Sequence, residues 1–180
     1  MNGRLIAVVG PSGVGKDSVM AGIAAAAPGI RPVRRVITRP REMGGEIHIA
    51  ASEMEFARLR DAGGFCLHWD AHGLSYGIPV KVLRSVQDGA ERMVNLSRAV
   101  LPEAQALFPA LTVLHVTARP ETLALRLAGR GRESAEEIAR RLDRAGHGLP
   151  AGIAALDLPN DGPLDDTVAR ALRLLQPERV

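Results

Sequence analysis

Leu5-Ile6-Ala7-Val8-Val9 runs straight into Gly10-Pro11-Ser12-Gly13-Val14-Gly15-Lys16, and from Lys16 to about Ala27 the chain reads as a helix. Five apolar residues without alternation suit a strand covered on both faces of a parallel sheet. Gly10, Gly13 and Gly15 let the backbone curl so that successive amide hydrogens point inward at an anion. The helix that follows aims its positive end at the same spot. Lys16 is one of two lysines among 23 basic residues, the rest being arginines. In a chain that otherwise prefers Arg, a Lys in a glycine loop suits a compact point charge beside phosphates better than a broad guanidinium fork.

Strand, glycine loop, lysine and helix are the parts of a P-loop. Gly10, Pro11, Ser12, Gly13, Val14, Gly15, Lys16, Asp17 and Ser18 are therefore expected to bind the phosphates of a nucleotide. The pattern asks for Ser or Thr after the lysine, where the hydroxyl binds magnesium, but Asp17 stands there and Ser18 follows. A neighbouring strand in P-loop enzymes usually ends in an acidic residue that helps hold the metal. Here the candidate strand ends offer only Asn95, Ser97 and Thr117. The missing carboxylate is expected to have moved to Asp17, with Asp17 or Ser18 contacting Mg2+.

The 180 residues, 46% of them hydrophobic, suffice for one well-buried core and not for two ordinary domains. No apolar run approaches a membrane span and the N-terminus has no secretory pattern, so a cytoplasmic protein is expected. A net charge of +3 with 3% aromatic residues gives neither a continuous basic groove nor bases' stacking partners, which argues against nucleic acid. The lone Cys66 lies in an apolar stretch and reads as a small core residue. Strand-like segments near residues 4–10, 33–37, 65–69, 92–96, 111–117 and 154–158 alternate with helical ones near 16–27, 52–63, 79–88, 101–108, 120–129, 134–145 and 163–175. That alternation predicts an α/β fold built on a parallel sheet. Ser52 with Glu55 and Ser134 with Glu137 form capping boxes, and Pro120 and Pro163 suit a first helical turn.

The arginines fall in two groups, which suggests two small polyanions. Arg126, Arg130 and Arg132 surround two glycines just before a capped helix carrying Arg140, Arg141 and Arg144. Glycine hinges with several cations suit a lid that closes over a triphosphate. Arg34, Arg35, Arg39 and Arg41 form the other group, in and before the polar segment 38–48, where forked hydrogen bonds can hold an acceptor's phosphate. Residues 69–79 gather polar groups between glycines and read as a substrate loop. His68 and His115 read as hydrogen-bonded structural residues.

With these landmarks in order, the chain resembles the guanylate kinase superfamily over nearly its whole length. It departs where such enzymes read the base, since Asn95 and Ser97 replace the usual Asp-x-Asp and His48 stands where a tyrosine is typical. Gly-Lys-Asp-Ser at 15–18, Gly-Glu-Ile-His at 45–48, Trp-Asp-Ala-His-Gly-Leu-Ser-Tyr-Gly at 69–77, Asn-Leu-Ser-Arg at 95–98, Arg-Gly-Arg-Glu at 130–133 and Asn-Asp-Gly at 160–162 resemble the ribose 1,5-bisphosphate phosphokinases of phosphonate degradation. The resemblance implies a single P-loop NTPase domain over 1–180, with an acceptor-binding insert at about 38–90 and a helical lid at about 126–145. It implies transfer of the γ-phosphoryl of ATP, with Mg2+, to a sugar bisphosphate, giving 5-phosphoribosyl 1-diphosphate. Lys16, Arg130, Arg132 and Arg141 would act on the transferring group, and Asn160 would join the nucleotide site. Arg35, Arg39, Arg41 and Arg98 would hold the acceptor's phosphates. His72, Tyr76, Asn95 and Ser97 would read its hydroxyls, and Glu46 and His48 would complete that site. The rival readings are a nucleoside monophosphate kinase, which needs a base pocket, and a binding-only scaffold domain, which tends to lose the lysine and lid arginines. The sequence leaves open whether the protein is a monomer or a homodimer.

Overall fold

The computed structural model describes residues 3–40, 47–129, 134, 136, 138–140, 143 and 148–176. In chain order the elements are β1 (Arg4–Val9), α1 (Lys16–Ala26), β2 (Ile30–Pro32), β3 (Val36–Ile37), β4 (Ile49–Ala50), α2 (Glu53–Asp61), β5 (Phe65–Ala71), β6 (Leu74–Pro79) and α3 (Val80–Gln87). β7 (Glu91–Asn95), α4 (Leu101–Leu107), β8 (Leu111–Thr117), α5 (Pro120–Gly129), β9 (Leu156–Pro159) and α6 (Leu164–Leu175) follow.

β1 lies at the centre of a five-stranded sheet ordered β2-β7-β1-β8-β9, all pairs parallel. Its side chains divide by parity. Ile6 and Val8 join α1 and α6 on one face, while Leu5, Ala7 and Val9 join α3 and α4 on the other. All five residues from Leu5 to Val9 are fully buried, which is why the run shows no polar alternation. At about 1.5–3 kcal/mol for a fully buried aliphatic side chain, these residues anchor the strand that carries the loop.

The insert adds a second, mixed sheet ordered β4-β3-β6-β5. Leu67 and Ile78 from it enter the same core as Leu5 and Ala7, so the insert is packed against the main sheet. Two expectations are corrected here. The strand expected at 33–37 is reduced to β3 at Val36–Ile37, which pairs with β6 in the insert, while a separate strand just before it, β2, pairs with β7 in the main sheet. The expected substrate loop at 69–79 is a hairpin, β5 pairing antiparallel with β6 around a turn at His72 and Gly73. Both turn residues have positive φ, 54° and 73°, the geometry that matches the right-handed twist of paired strands. His in place of Asn or Asp before the glycine is what hid the turn.

Ser52 and Glu55 form the expected capping box at α2. Its counterpart at Ser134 involves Glu137, outside the described residues. His115 Nδ1 lies 2.8 Å from Asp157 Oδ1, its register partner across β8 and β9, so this histidine is structural as expected. His68 is instead exposed on β5. Cys66 is half-buried, and burial pushes its thiol pKa up, away from the thiolate form. No helix among the described residues is long and apolar enough to cross a membrane.

Asp161 links β9 to α5. Its carboxylate accepts the Arg119 backbone N–H at 2.8 Å, and this bond, with the Thr122 side chain and the Arg119 charge, holds its pKa below the ordinary value of 3.8. A lowered carboxylate pKa stabilises the fold above the unfolded-state value and ceases to do so as pH falls through the folded one. Asp161→Asn is therefore expected to melt below the parent at neutral pH, with the gap closing as the pH is taken below 3.8. Paired thermal melts at pH 7 and in acid measure it, and a gap that does not shrink in acid refutes the account.

Candidate active site

The loop between β1 and α1 is shaped by glycines that admit no side chain. Gly15 caps α1 in the left-handed conformation, φ 94° and ψ 25°, and a Cβ there would stand 2.7 Å from Asn160 Nδ2. At Gly10 a Cβ would meet the Val116 carbonyl oxygen of β8 at 2.3 Å. Lys16 Nζ donates to the carbonyls of Gly10 and Pro11, both at 2.9 Å, which folds the ammonium back along the rim of the loop.

A clamp fixes the loop from outside. The Val14 carbonyl accepts from Arg126 Nη1 at 3.1 Å and from Asn160 Nδ2 at 2.8 Å. Arg126 Nη2 donates to the Asn160 carbonyl at 2.8 Å, and Asn160 Oδ1 accepts from Thr167 on α6 at 2.9 Å. In a planar trans peptide the N–H points opposite to the C=O, so holding the Val14 carbonyl outward turns the Gly15 N–H inward. Asn160 is only 4% exposed, and both ends of its amide bond within the protein. Arg126, which the sequence groups with the lid cations, likewise fastens the loop.

On the other side of the loop lies a cleft of ≈ 290 Å³. A ligand site of this order, against about 300–1,000 Å³ for drug-sized ligands, suits a small metabolite. Gly10, Pro11, Ser12 and Lys16 form one wall. The hairpin contributes Trp69, Ala71, His72 and Tyr76, and the end of β7 contributes Asn95, Leu96, Ser97 and Arg98. Arg35, from the segment before β3, completes the lining. Six of the expected acceptor residues thus converge on the phosphate loop: Arg35, His72, Tyr76, Asn95, Ser97 and Arg98.

Arg39 and His48 are not brought into this cleft. His48 is buried, its Nε2 donates to the Arg39 carbonyl at 2.9 Å, and its Nδ1 lies 3.5 Å from Arg39 Nη2, so the pair braces its own segment. Arg41, Glu46, Arg130, Arg132, Arg141 and Arg144 lie outside the described residues. Trp69 is read from the sequence only as the first residue of the 69–79 stretch, with no role of its own. Its signal was there, for it is the one tryptophan of the chain and sits opposite Tyr76 once the His72-Gly73 turn is recognised.

Asp17 and Ser18 part company. Asp17 Oδ1 is exposed and 3.4 Å from Asn95 Nδ2 at the end of β7, whereas Ser18 lines a separate cleft with Gly13, Gly15, Arg126, Asn160 and Leu164. The Asp17 carboxylate therefore stands beside the strand end from which an acidic side chain is absent. Among the described residues no cluster of three or more His, Cys, Asp or Glu could enclose a metal by itself. One carboxylate is compatible with Mg2+, a hard cation that is commonly held by one or two carboxylates, substrate phosphates and water.

The chain superposes on the crystal structure of guanylate kinase from Anaplasma phagocytophilum with a TM-score of 0.68, covering 96% of this chain and 84% of that one at 18% identity, a likeness of fold. Parallel sheet, glycine loop and facing cleft define a P-loop kinase. No protein-family model matches the sequence. It is 52% identical over 178 residues to "Ribose 1,5-bisphosphate phosphokinase PhnN" of Ruegeria sp. (strain TM1040), covering 98% of this chain and 94% of that protein. To the protein of the same name in Agrobacterium fabrum it is 43% identical over 175 residues, with 96% of each covered. The chain belongs to the ribose 1,5-bisphosphate phosphokinase family.

Proposed function

We propose that this protein transfers the γ-phosphoryl of ATP to the 1-phosphate of ribose 1,5-bisphosphate, yielding ADP and 5-phosphoribosyl 1-diphosphate, as a cytoplasmic enzyme of phosphonate catabolism. The observation that carries the reading is the meeting of Lys16 and the amide loop with Arg35, Arg98 and a ring of neutral polar groups in one small cleft. A phosphate acceptor is already ionised near neutral pH, so no general base is required. A phosphate oxygen attacks the γ-phosphorus, the bond to the β,γ-bridging oxygen breaks, and ADP leaves with that electron pair.

The protein's task is to align two polyanions and offset their repulsion. Loop amides and Lys16 hold the donor's β and γ phosphates, and Arg130, Arg132 and Arg141 close from the lid. Arg35 and Arg98 take the acceptor's phosphates. Asn95, Ser97, His72 and Tyr76 face the ribose hydroxyls. Asp17, beside the end of β7, would hold Mg2+, which would neutralise charge on the transferring phosphates, and Ser18 lines the loop's other cleft with Gly13 and Gly15.

ADP release measured side by side with ribose 1,5-bisphosphate, GMP and AMP tests the assignment. Turnover is expected with the sugar bisphosphate, and product formed only with GMP overturns it.

A further inference from the structure

Trp69 and Tyr76 are cross-strand partners in the β5–β6 hairpin, their rings stacked 5.3 Å apart and 6° from parallel on the cleft wall. A flat aromatic surface in a kinase cleft is where a planar base would stack. Here that surface is taken. The Arg35 guanidinium carbon lies 4.9 Å from the Tyr76 ring centroid and 5.8 Å from that of Trp69. Arg35 is 8% exposed, and its carbonyl accepts the Ile49 N–H at 2.8 Å, which ties its backbone to β4. A guanidinium tolerates such burial because it is weakly hydrated and stacks on aromatic faces, and held in plane it keeps the fork that matches phosphate oxygens.

We infer that Trp69 is a specificity-determining positioning residue: with Tyr76 it forms a shelf that fixes Arg35, so that the cleft offers a fork to the second phosphate of a sugar bisphosphate and denies a stacking place to a nucleobase. The inference rests on the reaction proposed above and concerns how its acceptor is chosen. Trp69 acts through Arg35 and takes no part in the transfer.

Steady-state kinetics of the parent, W69F, W69L, R35A and the double variant R35A/W69L test it, with the KM for ATP as internal control. W69L is expected to raise the KM for ribose 1,5-bisphosphate roughly ten-fold, the scale of a desolvated cation–π contact, with the KM for ATP unchanged. W69F, which keeps a ring, should recover most of the loss. In R35A the same Trp69 change should add nothing further, and GMP should begin to compete with the bisphosphate at concentrations that leave the parent unaffected. Because Trp69 is the chain's one tryptophan, its emission should respond to ribose 1,5-bisphosphate without turnover. Additive losses, parallel rises in both KM values, or equal GMP inhibition of parent and R35A overturn the shelf. A parent that phosphorylates GMP but not the bisphosphate instead removes the reaction on which the shelf depends.

Discussion

Lys16→Ala is expected to lower phosphoryl transfer by about a thousand-fold or more while the protein stays folded, as circular dichroism and thermal melting would record. The size follows from removing a cation aimed at charge that develops on the transferring group, in a site where a single lost donor already costs about 10²–10³ in rate. The fold should survive because the loop is clamped from outside at the Val14 carbonyl, by Arg126 and Asn160, and that clamp does not involve Lys16. Lys16→Arg should recover little, since the wider fork does not fit a space shaped for a point charge. Lys81→Ala is the internal control. That residue is exposed on α3, away from the cleft, and its loss should leave turnover as it was. A Lys16→Ala protein with activity within a few-fold of the parent would contradict the phosphate-cradle assignment.

Asp17→Ser should cost the next largest amount, on the order of a hundred-fold in kcat/KM at limiting magnesium, with the half-saturating Mg2+ concentration displaced upward. Serine is what the ordinary P-loop carries at this position, so by motif alone the substitution is benign. In this chain the neighbouring strand end is Asn95, whose amide lies 3.4 Å from Asp17, and the variant would have no carboxylate at either place. The alternative is that Asp17 only favours the positive end of α1. That role is worth about 0.3–1 kcal/mol of stability and leaves magnesium dependence untouched. Activity titrated with Mg2+ in both proteins separates the two, and superimposable titrations with equal turnover would end the metal assignment.

The same comparison shows why some of the site was legible and some was not. Gly10, Gly13, Gly15 and Lys16 were readable because the phosphate loop is local, its geometry following from glycine freedom, one ammonium and the helix behind it. The parallel sheet was readable because strands covered on both faces must be continuously apolar, as Leu5 to Val9 are. The order of its strands was not, because nothing local requires β1 to lie between β7 and β8.

Side-chain allegiance is where the sequence stopped. Asn160 and Arg126 have the chemistry of ligand contacts, and the fold turns both onto the Val14 carbonyl, 146 and 112 residues away in sequence. His48 and Arg39 brace one another for the same kind of reason: a buried polar group takes the partner that packing brings to it. The Arg35–Trp69–Tyr76 stack depends on a hairpin turn and on the pairing of β3 with β6, so it exists only in three dimensions. By itself the sequence determined the phosphate loop, the fold class and the residue types available for a second anion, because these rest on local backbone freedom and burial pattern. Tertiary structure alone decided which arginines face the cleft and which hold the scaffold, because a guanidinium serves either purpose and only its neighbours select between them.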